Sequence, residues 1–153
     1  MPRSSKYVVV VASLLLFSAA ALAQATNSYD VNLSAVGAVN QCSIGEPVAL
    51  SGTVHVTYSV TNNNGVNQFA ITAANDLTGV GQKSGAAYAA GDSADYSSNN
   101  DDPSADLTVE LKSDLKPQAG AAAMTLVQGL HIVVDTMGNI SAEVVSNTTN
   151  CGD

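Results

Sequence analysis

Val54-His55-Val56-Thr57-Tyr58-Ser59-Val60-Thr61-Asn62-Asn63-Asn64-Gly65-Val66-Asn67-Gln68-Phe69-Ala70-Ile71 is the stretch that decides the fold. Val54, Val56, Tyr58 and Val60 alternate with His55, Thr57, Ser59 and Thr61, and a period of two belongs to a half-buried strand rather than a helix. Asn64-Gly65 supplies the positive φ angles of a tight turn, and the apolar positions resume at Phe69 and Ile71. The stretch therefore predicts a hairpin.

The same period extends in both directions. Tyr29, Val31, Leu33 and Ala35 alternate with Asp30, Asn32 and Ser34, and Leu107, Val109 and Leu111 alternate with Thr108, Glu110 and Lys112. Pro117 and Gly120 break the chain before Met124, Leu126, Leu130, Ile132 and Val134, which fall on one face. Met137-Gly138-Asn139 then turns it into a return strand, Ile140 to Val145. Ala119 to Met124 is alanine-rich but too short and glycine-flanked to hold a helix. Gly79 to Gly91, rich in glycine, alanine and serine, reads as a weak strand around Gly85 to Tyr88; Asp92 to Asp106, with five aspartates, reads as a solvated loop. The expected fold is all-β: a single-domain antiparallel β-sandwich or barrel with one long central loop.

Arg3 and Lys6, the apolar run Val8 to Phe17 and the small-residue site Ala21-Leu22-Ala23 have the order of a secretory signal peptide. Cleavage is expected after Ala23 or Ala25, dividing the chain into a leader, 1–25, and a domain, 26–153. The protein is therefore expected to be secreted or periplasmic. Without the leader only Lys83, Lys112 and Lys116 face 13 acidic residues, a formal charge of −10. So few cations cannot neutralise a run of phosphates, which argues against nucleic acid and anionic membranes as partners. No later segment approaches the roughly 20 apolar residues of a membrane-spanning helix, so no stable insertion is expected after cleavage.

Cys42 and Cys151 lie near opposite ends of the domain, and in an oxidising compartment they are expected to pair. The chain-entropy treatment gives a loop of roughly 100 residues about 4 to 5 kcal/mol. Two free thiols and an intermolecular bridge are the alternatives. No C-x-x-C or Cys/His cluster accompanies the cysteines to suggest a metal.

The run Cys42-Ser43-Ile44-Gly45-Glu46-Pro47-Val48-Ala49-Leu50-Ser51-Gly52-Thr53-Val54-His55, the later Gly79-Val80-Gly81, Ser84-Gly85 and Tyr88, and the closing Leu130-His131-Ile132, Met137-Gly138-Asn139 and Cys151 resemble an uncharacterised family of small exported bacterial β-rich proteins with paired terminal cysteines. The resemblance covers nearly all of residues 26–153. It implies an all-β domain closed by the two cysteines, and it brings no activity.

Several patterns lose their chemistry on inspection. Gly79-Val80-Gly81-Gln82-Lys83-Ser84 has Gln82 where a phosphate-binding loop needs glycine next to lysine, and no helix follows. Nor do its glycines have the spacing or βαβ setting of a dinucleotide site. Asn32-Leu33-Ser34, Asn139-Ile140-Ser141 and Asn147-Thr148-Thr149 are sequons that matter only in a glycosylating host.

Two sets of residues remain as weak metal candidates. His55 and His131 each occupy the polar face of a strand, where they are placed to meet across adjacent strands and, with Glu46 or Asp135, to hold zinc or act as acid and base. The plainer alternative is a histidine hydrogen-bonded to its neighbours. Asp101 and Asp102, with Asp92, Asp95, Asp106, Asn99 and Asn100, offer oxygens of the kind calcium takes, in a spacing that matches no calcium loop. No nucleophile and base pair can be named, so no catalytic residue and no cofactor are expected.

Three functions stay open: a non-catalytic binding or structural module acting on an extracellular macromolecule or on itself, a barrel holding a small apolar ligand, and an enzyme of unknown reaction. The absence of Trp weakens a carbohydrate platform. A pilus-like subunit donating Tyr29 to Ala35 as a strand is one form of the first.

Overall fold

The computed structural model describes residues 25–40, 42, 45–117 and 124–151. The leader expected at 1–25 lies outside them except for Ala25, and the alanine-rich 119–124 except for Met124. Eight strands follow one another: β1 (Ala25–Asn40), β2 (Glu46–Asn63), β3 (Val66–Gly81), β4 (Ala87–Ala90), β5 (Ser93–Asn100), β6 (Ala105–Pro117), β7 (Met124–Val134) and β8 (Ile140–Cys151).

The central hairpin forms as its sequence predicts. β2 and β3 pair antiparallel from Val48↔Gly81 to Asn63↔Val66. Asn64 at φ 53° and Gly65 at φ 89° make the turn between them, where asparagine and glycine tolerate positive φ best. β1 pairs antiparallel with the other side of β2, while β6, β7 and β8 form a second antiparallel meander.

The solvated loop expected over Asp92 to Asp106 is corrected by the structure, because most of it is strand. Leu77 pairs with Ala90 and Ala74 with Ser93 in one unbroken register, so β4 and β5 are a single long strand interrupted at Gly91-Asp92. Its inward positions are Ala94, Tyr96 and Ser98, and Asp95, Ser97 and Asn99 point outward. Small and hydroxyl-bearing inward residues hide the alternation from a hydrophobic reading. The loop shrinks to Asp101–Ser104.

The hydrogen-bonded path runs β1-β2-β3-β4-β6-β7-β8, with β5 beside β3. β1 and β8 lie side by side, so the sheet is a nearly closed antiparallel barrel. Cys42 and Cys151 are joined by a disulfide at this meeting place, with Cα atoms 5.1 Å apart.

Inside, the apolar residues form two clusters. One holds Tyr58, Phe69, Ile71, Leu111, Leu130 and Ile132; the other, toward the disulfide, holds Leu50, Leu77, Tyr88, Leu115, Met124 and Leu126. Each of these twelve side chains is almost wholly buried, and burial of one large apolar side chain contributes about 1.5 to 3 kcal/mol.

A polar belt on β3, β6, β7 and β8 lies between the clusters, which meet at Leu33 of β1. Asn75 Nδ2 donates to Ser113 Oγ at 2.6 Å and Gln128 Oε1 at 2.8 Å, and Gln128 Nε2 donates to Asn147 Oδ1 at 2.9 Å. Asp92 N donates to Asn75 Oδ1, and the Asp92 carboxylate accepts from Asp114 N. No buried side-chain nitrogen or oxygen among the described residues lacks a partner, as burial of polar groups requires.

The strands also bend near this level. β1 shifts register between Leu33 and Val36, β8 shifts against Gly129/Leu130 of β7, and β4 gives way to β5 at Gly91-Asp92. Gly52, at φ 143°, lets the Asp76 carbonyl approach to 2.1 Å from where a Cβ would stand. Bulges and glycines of this kind let long strands curve into a closed sheet.

Candidate functional site

At the β1–β8 seam a histidine stands between two carboxylates, beside a groove. The groove, of about 390 Å³, is lined by Tyr29 of β1, His131 and Val133 of β7, and Ser141, Ala142 and Glu143 of β8. Tyr29 is 40% exposed although its register partner, Val56, is fully buried, because it stands at the margin of the barrel.

His131 lies between two carboxylates. Its Nε2 is 2.9 Å from Asp106 Oδ1 on β6, and its Nδ1 is 3.3 Å from Glu143 Oε1 on β8. The bond to Asp106 first, and that to Glu143 second, raise its pKa above the usual histidine value. In the charged form both ring nitrogens donate, leaving no lone pair for a metal or for a proton taken from a nucleophile.

His55 Nδ1 meets Asp30 Oδ1 across the β1–β2 ladder, where the two residues are register partners. The two histidines do not meet, contrary to the expectation of adjacent strands. β1 and β8 stand between β2 and β7, so each histidine takes its own cross-strand carboxylates.

Glu46 and Asp135 are elsewhere. The buried Glu46 carboxylate accepts from Ser84 Oγ at 2.6 Å and Ser84 N at 3.3 Å, in the turn between β3 and β4. It fills the space over Gly81, where a Cβ would stand 1.4 Å from Glu46 Oε1. The Gly45-Glu46 and Gly79 to Gly85 motifs are thus two halves of one packing contact. Asp135 closes the β7–β8 turn by accepting from the main chain of Met137 and Asn139 and from Asn139 Nδ2, each at 2.8 Å. Those bonds, the Asn139 side chain's first, lower its pKa.

The acidic candidates are dispersed as well. Asp102 Oδ1 accepts from Ser104 N and Oγ, which lowers its pKa, while Asp101 offers only its main-chain oxygen to Asn67 Nδ2. Asp95 accepts from Thr72, Asp92 from Asp114 and Asp106 from His131. Among the described residues no three His, Cys, Asp or Glu side chains converge as a metal site requires. Of the sequon asparagines, Asn147 belongs to the polar belt and Asn139 to the Asp135 turn.

Sequence reasoning missed Asp30, Asp106 and Glu143 as histidine partners. One signal was available: a hairpin turned at Met137-Gly138-Asn139 places Glu143 opposite His131 by counting. Comparison with protein-family models, curated proteins and solved structures finds no match.

Proposed function

We propose that this chain is an exported, non-catalytic binding or structural module that acts in the periplasm or outside the cell, on another macromolecule or on itself. The observation that carries this reading is the filled axis of the barrel. Tyr58, Phe69, Leu111 and Leu130 occupy one half and Leu50, Tyr88, Leu115 and Leu126 the other, with Asn75, Ser113 and Gln128 between them. Small barrels either fill their interior with side chains or keep it open for a ligand, and this one takes the first course.

The outer surface supports the same view. Ser51, Thr53, His55, Thr57 and Ser59 point outward along β2, and Asp106, Thr108, Glu110, Lys112 and Asp114 along β6. A polar exterior is the reverse of a lipid-facing barrel. The disulfide fits an oxidising compartment, as the leader's sequence also suggests. The resemblance to small exported bacterial β-rich proteins agrees with both. His131, bound at each nitrogen by a carboxylate, suits an electrostatic staple better than acid–base chemistry.

Native mass spectrometry of the protein exported by its own host, without refolding, tests the proposal. A bare chain, as monomer or defined oligomer, is the expected result. A small-molecule adduct lost on denaturation would replace the proposal with the ligand-carrying barrel.

A further inference from the structure

The closure of the barrel has an unusual construction. The path from β1 to β8 has seven places and every step along it is antiparallel, so its first and last strands run in the same direction. Among the described residues no main-chain ladder joins them. Parallel pairs are the weaker kind and need evenly slanted hydrogen bonds, which register shifts in β1 and β8 oppose.

The seam is held at its two ends instead. At the β7–β8 turn, Asn27 Nδ2 donates to the Gly138 carbonyl at 2.6 Å, and the Tyr58 hydroxyl donates to the same oxygen. At the other end Thr149 Oγ1 donates to the Val39 carbonyl, and the Cys42–Cys151 disulfide lies beyond it. Val31 and Leu33 of β1 and Ile140 and Val144 of β8 are half-buried between these clamps, against the larger apolar cluster.

We propose that the β1–β8 seam is a redox-locked joint: the disulfide keeps the barrel shut, and its reduction lets β1 and β8 part while the rest of the sheet stays folded. The step needs a thiol or phosphine reductant. A dithiol attacks one sulfur and its second thiol resolves the mixed disulfide, leaving Cys42 and Cys151 as thiols and the reductant as a disulfide; a phosphine attacks one sulfur likewise, and water then releases the second thiol and carries the phosphine to its oxide. β1 keeps its fourteen register pairs with β2, and β8 its eleven with β7, so the opening has no ladder to break. The open form presents two strand edges and the apolar residues behind them, which the closed form hides.

Hydroxyl-radical footprinting of the oxidised full chain, the same protein reduced with tris(2-carboxyethyl)phosphine, and the Cys42→Ser/Cys151→Ser variant tests the joint. Labelling of Val31, Leu33, Ile140 and Val144 is expected to rise severalfold on reduction and in the variant, while Phe69, Ile71, Leu130 and Ile132 keep their low level. No change at either group would overturn the proposal, since the hydrogen-bonded clamps alone would then hold the seam. A rise in both groups together would also overturn it, because the disulfide would then be holding the whole fold.

Discussion

His131 shows how one residue couples three strands and pH. Its ring joins Asp106 of β6 to Glu143 of β8, and both bonds favour the imidazolium. With the folded pKa raised above the unfolded value of about 6.5, the stabilisation is fully present below that value and is lost as pH rises through the folded pKa. Wild type is therefore expected to melt above His131→Gln near pH 6, with the gap closing at alkaline pH. Melting curves across that range, with an NMR titration of the ring, check this; a gap independent of pH would assign the effect to packing. Gly81 illustrates a different constraint. Gly81→Ala places a methyl group on the Glu46 carboxylate, and a buried carboxylate parted from Ser84 costs about 1 to 3 kcal/mol or more. Urea denaturation is expected to show that loss, whereas Gly37→Ala, with nothing within 4 Å of its Cβ, is expected to be far milder.

At the level of strands, what the sequence reveals depends on how the inward positions are filled. Val54 to Ile71 was readable because branched and aromatic residues mark one face and Asn64-Gly65 marks the turn. β5 was not, because Ala94, Tyr96 and Ser98 stand where larger apolar residues would announce a strand. Its place is secured by contacts invisible to a local reading: the β3 ladder on one side, and on the other the Tyr96 hydroxyl donating to the Glu110 carbonyl at 2.6 Å. Desolvation first, and the nearby Glu110 charge second, raise the Tyr96 pKa, so the hydroxyl stays a donor at neutral pH. Tyr96→Phe removes that bridge and is expected to cost about 0.5 to 1.5 kcal/mol, the usual net worth of a hydrogen bond. Amide exchange in β5 and β6 is expected to quicken, and unchanged exchange there would show that the β3 ladder alone fixes β5. The candidate site follows the same rule. His55 and His131 were recognisable as outward residues, but their partners depend on the register between strands, and the intervening β1 and β8 depend on the closure of the whole sheet.

Across the whole molecule, the polar belt of Asn75, Ser113, Gln128 and Asn147 divides the core into halves that share strands but bury separate apolar clusters. Packing strain travels through touching apolar side chains, and apart from Leu33, which touches both clusters, the polar layer stands between them, so substitutions on its opposite sides are expected to act independently. Ile132→Val and Ile71→Val both fall in the larger cluster, and Val48→Ala falls in the other. Ile→Val in a core costs about 0.5 to 1.5 kcal/mol, mild enough to combine without unfolding the protein. Ile132→Val with Val48→Ala is expected to add to within about 0.3 to 0.5 kcal/mol, as separate sites do, while Ile132→Val with Ile71→Val is expected to depart from additivity. The belt itself is expected to be more sensitive than either half. Asn75→Ala strands the buried Ser113 hydroxyl and Gln128 side-chain carbonyl at once, and each buried group left without a partner costs about 1 to 3 kcal/mol. Denaturation of the single and double variants decides the matter: coupling between Ile132 and Val48 as large as that between Ile132 and Ile71 would mean that the core is one unit and the belt no boundary.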